Sequence, residues 1–386
     1  MSIPSLPDDL IPEFLARLSP TPLMRFRCVS KSWRALIDSP EFKRMQLRHS
    51  TLHYNASDYV FRVHHASGYR ICAARWDSAA NFQNTLRAIK GSPLSEIALE
   101  NSRLVGTCNG LICMEVKATP TRVILWNPWI RKSFELPYSR VQSKLSGYLR
   151  TLNRSFHYGF GYDDYTDDYK LVRLVQHQVS LHAPAWCEVK VYSLKSNSWK
   201  RLPEFPYAVS QGSQRSSGVL CNHALHCIVQ GDSIAAIDLK SEEYRLVPMP
   251  EILTDKCWWD LGLLEGCLCI LSTVYSDPNG TFVLLWVMKD YGRKDSWTKT
   301  LRVPVTKFYS TGYIDPIGYS EAKKQLVLHK KNQCFMWFYT EKARLCGETA
   351  RIPCLYSTME GCVCAGSLVQ PFGGYGIKKG IKRTRK

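Results

Sequence analysis

Cys267-x-Cys269 and Cys362-x-Cys364 each set two thiols two positions apart. Strand side chains alternate, so both members of such a pair share one face. A zinc ion takes four ligands, usually from pairs spaced C-x₂-C, and neither pair has partners at that spacing. Thiols of this kind fit small core positions better than ligands, and no metal is expected. Cys221-Asn222-His223 with His226-Cys227 is the denser cluster. Asn222 to Ala224 reads as a hairpin tip, which would splay these side chains apart. Asp163-Asp164-Tyr165-Thr166-Asp167-Asp168 brings carboxylates together, but the calcium-loop pattern D-x-[DN]-x-[DN]-G is not met and the run fits a turn between strands. No G-x-S-x-G, H-E-x-x-H or G-x-x-x-x-G-K-[ST] occurs. The sequence announces no nucleophile, zincin or phosphate loop, and no cofactor is expected.

Charge gives a second candidate. The 51 Lys and Arg exceed the 33 Asp and Glu by 18. Six of the bases, Lys378, Lys379, Lys382, Arg383, Arg385 and Lys386, stand in the last nine residues. This tail, residues 372–386 with its Gly-rich approach, reads as a nuclear-import candidate or as a solvated end. The other bases are scattered among acids along strands and turns, without the basic, aromatic-interleaved face that nucleic-acid binding needs. No apolar run approaches the 18 to 20 residues needed to span a bilayer, and with no basic n-region followed by an apolar stretch a secretory signal is not expected. The 15 cysteines, odd in number and in no small-domain framework, read as reduced thiols of an intracellular protein. Cytoplasm and nucleus are the expected locations.

The elements that position these residues fall into two kinds. In the first 45 residues the apolar positions Leu10, Ile11, Phe14, Leu15 and Leu18 form one helical stripe. Asp8 or Asp9 offers a cap, and Pro12 lies in the first turn, where backbone N–H groups lack partners. Thr21-Pro22 predicts the start of a second helix. Ser30 predicts the cap of a third, carrying Trp33, Leu36 and Ile37 and ending near Asp38-Ser39-Pro40. Three short helices cannot bury that much apolar surface unaided, so the module is expected to dock on another protein. The other possibility is a helical cap packed on its own C-terminal domain.

Leu6-Pro7-Asp8-Asp9-Leu10-Ile11, Glu13 to Leu18, Leu23 to Trp33, Leu36-Ile37 and Pro40-Glu41-Phe42 together resemble the F-box in order and spacing. Ser19 and Thr21-Pro22 depart mildly from its pattern. The resemblance implies binding to a Skp-type adaptor and, through it, to a cullin scaffold. By position in the motif, Leu6, Pro7, Leu10, Ile11, Leu15, Leu18, Val29 and Trp33 would be the adaptor contacts, within an all-α F-box domain of three helices at residues 1–48.

From about residue 52 the period becomes that of strands. A unit recurs: a Gly-containing hairpin, an alternating apolar strand, then an aromatic-bearing strand closed by Leu-Pro or its like. The landmarks Phe134, Trp199, Tyr244 and Trp297 lie 65, 45 and 53 residues apart, the spacing of propeller blades. Tyr59 to Val63 and Tyr69 to Cys72 are left over at the start and Gly361 to Cys364 at the end, which predicts a ring of six blades closed by strands from both ends. The alternative is a pair of irregular β-sandwiches.

Gly106 to Cys113, Trp126-Asn127-Pro128, Phe160 to Asp163 and Asp167 to Val172 resemble the plant F-box-associated, kelch-related interaction domain, assigned to residues 52–371. Within that family the chain is similar to members that restrain immune receptors. The resemblance implies a substrate-recognition subunit of a Skp–cullin–F-box ubiquitin ligase, without chemistry of its own, recruiting an unnamed target protein. The competing reading is a propeller enzyme or carbohydrate-binding module with an incidental helical cap.

Overall fold

The computed structural model describes residues 10–52, 58–65, 68–142, 153–178, 186–210, 218–231, 233–250, 257–277, 280–304, 314–320, 325–330, 334–339, 344–350 and 355–372. It opens with four helices, α1 Leu10–Ala16, α2 Pro20–Phe26, α3 Lys31–Asp38 and α4 Pro40–Leu52, one more than the periodicity suggests. Helix α2 starts two residues before the expected Thr21-Pro22. Ser19 is its cap residue and Pro20 its first position, while Pro22 still falls within the first turn, where its missing N–H costs nothing. Ser30 caps α3 as expected, its hydroxyl accepting from the Trp33 amide at 3.1 Å.

The fourth helix was concealed by Ser39-Pro40, which reads as a stop. The pair does end α3, and it also starts α4: Pro40 is the first residue, and the Ser39 hydroxyl accepts from the Phe42 amide at 3.2 Å. Residues 40–52 are therefore a rod of 13 residues that runs past the expected domain boundary at 48.

Six four-stranded antiparallel sheets follow. Five are sequential: β4 Ser102–Cys108 to β7 Lys132–Glu135, β8 Asn153–Asp163 to β11 Ser198–Arg201, β12 Val219–Cys221 to β15 Tyr244–Val247, β16 Cys257–Leu264 to β19 Trp297–Pro304, and β20 Ile314–Tyr319 to β23 Arg344–Ala350. The sixth joins the chain's two ends. Its order is β24-β1-β2-β3, in which β24 is Leu355–Cys364 and β1, β2 and β3 are Asp58–His65, Gly68–Arg75 and Arg87–Ala88. Tyr59 pairs with Val363 and Val60 with Cys362, so the first and last blade strands are hydrogen-bonded neighbours. This closure ties the chain's two ends into one blade and leaves the ring only the short outer edges of its blades. Two short helices, α5 Ala79–Thr85 and α6 Glu96–Glu100, lie in the connections after β2 and β3.

Each neighbouring pair of blades shares a hydrophobic cluster. Val60, Met114 and Trp126 fill one across the first two blades, and Phe61, Phe335 and Trp337 fill the one that seals the ring. The cysteine pairs lie in these interfaces. Cys269 and Cys364 are buried, and Cys267 and Cys362 pack on the same clusters, which is the shared face that alternation predicts.

Candidate functional site

In the helical head, Leu15, Ala16, Leu23, Ile37 and Phe42 form a small core of their own. Phe26 and Trp33 meet edge to face at 5.6 Å, and Arg27 grips Asp38 at 2.7 Å, binding the end of α2 to the end of α3. On the outer side, Leu10 is 44% exposed, Phe14 56% and Val29 63%. Leu10 and Phe14 are one turn apart on α1 and share a face. Ile11, Leu18 and Trp33 are half-buried and pack on the head's core, Leu18 also lining the cleft towards the propeller. Three large apolar side chains left in water on so small a module mark a surface made to be covered.

The other side of the head is already occupied. Residues 365–372, which follow β24, run between the head and the propeller. Leu368 is buried within the head's core, where Ile130 of the β6–β7 turn also packs. Buried Gln46 of α4 donates to the Gly366 carbonyl at 3.2 Å. Asn127 holds the segment from the propeller side, its amide donating to the carbonyls of Ser367 at 3.0 Å and Val369 at 2.8 Å. Ser367 donates to the Asn109 carbonyl at 2.7 Å. Space here is minimal. A Cβ on Gly366 would collide with the Trp129 indole and stand 2.9 Å from the Pro20 ring, and one on Gly110 would lie 2.7 Å from the Ala365 carbonyl. Arg44 of α4 also reaches Asp167 at 3.4 Å. The head thus sits on the propeller face built by the β4–β5, β6–β7 and β8–β9 turns.

The opposite face carries a groove of about 840 Å³ between the second and third blades. Tyr138, Phe156, Tyr158 and Trp199 supply aromatic walls, with Arg140 and Arg154 exposed beside them. Beneath lies a buried ionic layer. Arg173 pairs with Glu188 at 3.1 Å and donates to the Ser139 carbonyl at 2.6 Å. Lys190 donates to the Arg140 carbonyl at 2.8 Å, and Glu188 accepts from the Gln142 amide at 2.7 Å. Residues 139–142 are therefore held from below by charge-assisted bonds. Burial, with help from Arg103, pushes His157 down to about 4, so its ring is neutral at pH 7.

The other constellations serve as structure. Asp163 accepts from the Tyr165 amide and the Thr166 hydroxyl and pairs with Lys170 at 2.9 Å, stapling the β8–β9 turn. Burial would raise its pKa, but these bonds outweigh burial and carry it below the usual range. Asn222 and His223 form the expected hairpin tip, both at positive φ, and the neighbouring thiol and imidazoles diverge. Cys221 donates to the Gly266 carbonyl, His226 faces Tyr291 and His223 faces Asp164. Among the described residues no three His, Cys, Asp or Glu are placed to hold a metal ion.

Comparison with known families decides what this two-part arrangement is. The F-box domain matches residues 3–45, and the F-box associated beta propeller domain matches residues 62–356. The chain belongs to the F-box proteins with an associated propeller. It is 30% identical to F-box protein CPR1 of Arabidopsis thaliana, over 95% of this chain and 89% of that one. F-box protein At4g22390 of the same plant is 31% identical over 90% of this chain and 86% of the relative. Among solved structures, an oligogalacturonate lyase from Vibrio parahaemolyticus matches 77% of this chain and 75% of its own at a TM-score of 0.42 and 5% identity, and no activity is carried over from it.

In this F-box protein the residues read from the motif separate by depth. Leu10 and Val29 stand out in solvent, and Ile11, Leu18 and Trp33 are partly accessible. Leu15 does not share that surface. At 5% exposure it is a core residue, because α1 turns it inward against Leu23 and Phe42. Leu6, Pro7 and the six basic tail residues lie outside the described residues. Phe14 was missed as a site residue although it lies on the same stripe. Its i,i+4 relation to Leu10 was the available signal. The segment at 365–372 had none, since no periodicity marks a chain that crosses between two bodies.

Proposed function

We propose that this F-box protein is the substrate-recruiting subunit of a Skp–cullin–F-box ubiquitin ligase and does no chemistry of its own. The exposed ridge of Leu10 and Phe14 on α1, together with exposed Val29 after α2, on a head otherwise fixed to the propeller, carries the reading. An adaptor covering that ridge would leave the groove lined by Tyr138 and Trp199 facing away, open to a target. Tyr, Trp and Arg are the residue types that dominate protein-binding hot spots, and the groove is rich in them. The similarity to members that restrain immune receptors makes proteins of that class the targets to try first. The basic tail serves as the import signal in this reading, giving residence in cytoplasm and nucleus.

The test is co-purification followed by reconstituted ubiquitin transfer. Leu10→Asp with Ile11→Asp is expected to abolish adaptor binding, at least a hundredfold, while the propeller stays folded. Tyr138→Glu with Arg154→Glu is expected to keep the adaptor and lose transfer to the target. Retention of the adaptor by the first pair would overturn the assignment of the head.

A further inference from the structure

A cleft of about 980 Å³ opens where the head meets the propeller, and its lining is strongly basic. The head contributes Arg17, just after α1, and Arg25 of α2. The propeller contributes Arg75 at the end of β2, Arg87 of β3, Lys90 just beyond, and Arg131 in the β6–β7 turn. Among the described residues the only carboxylate in the lining is Asp58, which faces Arg75 at 3.5 Å and also pairs with Arg87. Six cations less one anion leave +5, with His49 taken as neutral.

Elsewhere this chain matches its inward-facing cations with acids: Arg103 with Glu115, Arg173 with Glu188, Lys170 with Asp163. Here it does not. Among the described residues Arg17, Arg25, Lys90 and Arg131 have no acidic partner. These four side chains are exposed, so water and salt moderate their mutual repulsion, and a multivalent anion seated among them would turn that repulsion into attraction.

We propose that this cleft binds a small molecule carrying several phosphate groups and that the ligand bridges head and propeller. Guanidinium forks suit phosphate oxygens, taking two at once in a plane, and five of the six cations are arginines. The cations stand on two opposing walls, which fits a compact, multiply charged body better than an extended acidic peptide lying along one surface. Trp129, Ile89 and Ile130 supply an apolar patch against which a ligand's ring or carbon skeleton would rest. A ligand held by both walls binds only the docked arrangement and so stabilises it by mass action.

The experiment uses the full chain purified with its adaptor and inorganic tripolyphosphate as the probe, titrated calorimetrically at constant ionic strength against inorganic phosphate. Tripolyphosphate is expected to bind one to one, at least tenfold tighter than phosphate, and to raise the unfolding temperature. Lys90→Gln with Arg131→Gln, and separately Arg25→Gln, should each weaken it tenfold or more without changing the circular dichroism spectrum. Arg122→Gln, which removes an exposed arginine outside the cleft, should change nothing. Vesicles with and without a phosphorylated inositol lipid separate the two sources: tighter binding to the former assigns the phosphates to a headgroup, and no gain assigns them to a soluble metabolite. No saturable binding, equal affinity in the cleft variants, or equal competition by a poly-glutamate peptide would overturn the proposal.

Discussion

His226 is fully buried, and its two ring nitrogens have different work. Nδ1 lies 3.1 Å from the Val219 carbonyl, which can only accept, so this nitrogen carries the proton. Nε2 is then the acceptor of the Tyr291 hydroxyl at 2.6 Å. A second proton would break that bond and bury a charge, and burial accordingly pushes His226 down to about 4. The unfolded chain, with a histidine near 6.5, binds more protons between these values. Stability is therefore complete above about pH 6.5 and falls as the pH drops towards 4, by at most about 3 kcal/mol for this residue. His157, also held at about 4, adds to the same fall, while the contribution of Asp163, held low, is lost only further down, below the ordinary aspartate range. Thermal midpoints measured from pH 7.5 to 4 should decline below 6.5, and His226→Gln should lower the plateau while flattening the slope. An equal slope in the variant would remove His226 from this account. None of it was legible beforehand: the sequence shows a histidine near two cysteines, and only the fold shows that the cysteines point elsewhere.

Between blades the recurring aromatic and the recurring proline turn out to be partners. Trp199 donates its indole N–H to the Pro137 carbonyl at 2.8 Å, the Tyr244 hydroxyl donates to Pro203 at 2.7 Å, and Trp297 donates to Pro248 at 2.9 Å. In each case the outer strand of one blade is latched to the residue at which the previous outer strand has ended. Proline suits the acceptor position because it stops the strand and brings no N–H of its own to satisfy. The spacing of these landmarks made the blades countable, but the bond crosses from one repeat to the next, and a repeat read by itself hides it. The closing blade was legible for a simpler reason: leftover strands at the two ends needed each other. Helix α4 was not, because Ser39-Pro40 both stops one helix and starts another. A neutral hydrogen bond contributes about 1 kcal/mol, and more where its loss strands a buried group. Trp297→Phe is thus expected to lower the unfolding midpoint by about 2–4 °C. Trp199→Phe, at a latch open to water, should lower it less. Scanning calorimetry of the two variants checks the order, and a larger loss at Trp199 would contradict the latch.

At the scale of the whole molecule the question is what a rigid joint contributes. A tethered target reaches an effective concentration of roughly millimolar only when the connection holds it where the reacting groups can meet, and orientation adds to proximity. Helix α4 and residues 365–372 supply that hold, since Leu368 completes the head's core while Asn127 anchors the same segment to the second blade. The position with least freedom is Gly366, between the Trp129 indole and the Pro20 ring. Neither neighbour is the far end of a flexible side chain, so a branched residue there must push the two bodies apart. Gly366→Val leaves the ridge of Leu10 and Phe14 and the groove by Trp199 chemically untouched. The expected outcome is unchanged adaptor affinity, unchanged target affinity, a broader distance distribution in small-angle scattering, and ubiquitin transfer slowed tenfold or more. Full transfer with a broadened distribution would mean that target lysines reach the loaded enzyme by the propeller's own swing, and that the clamp serves the stability of the head alone.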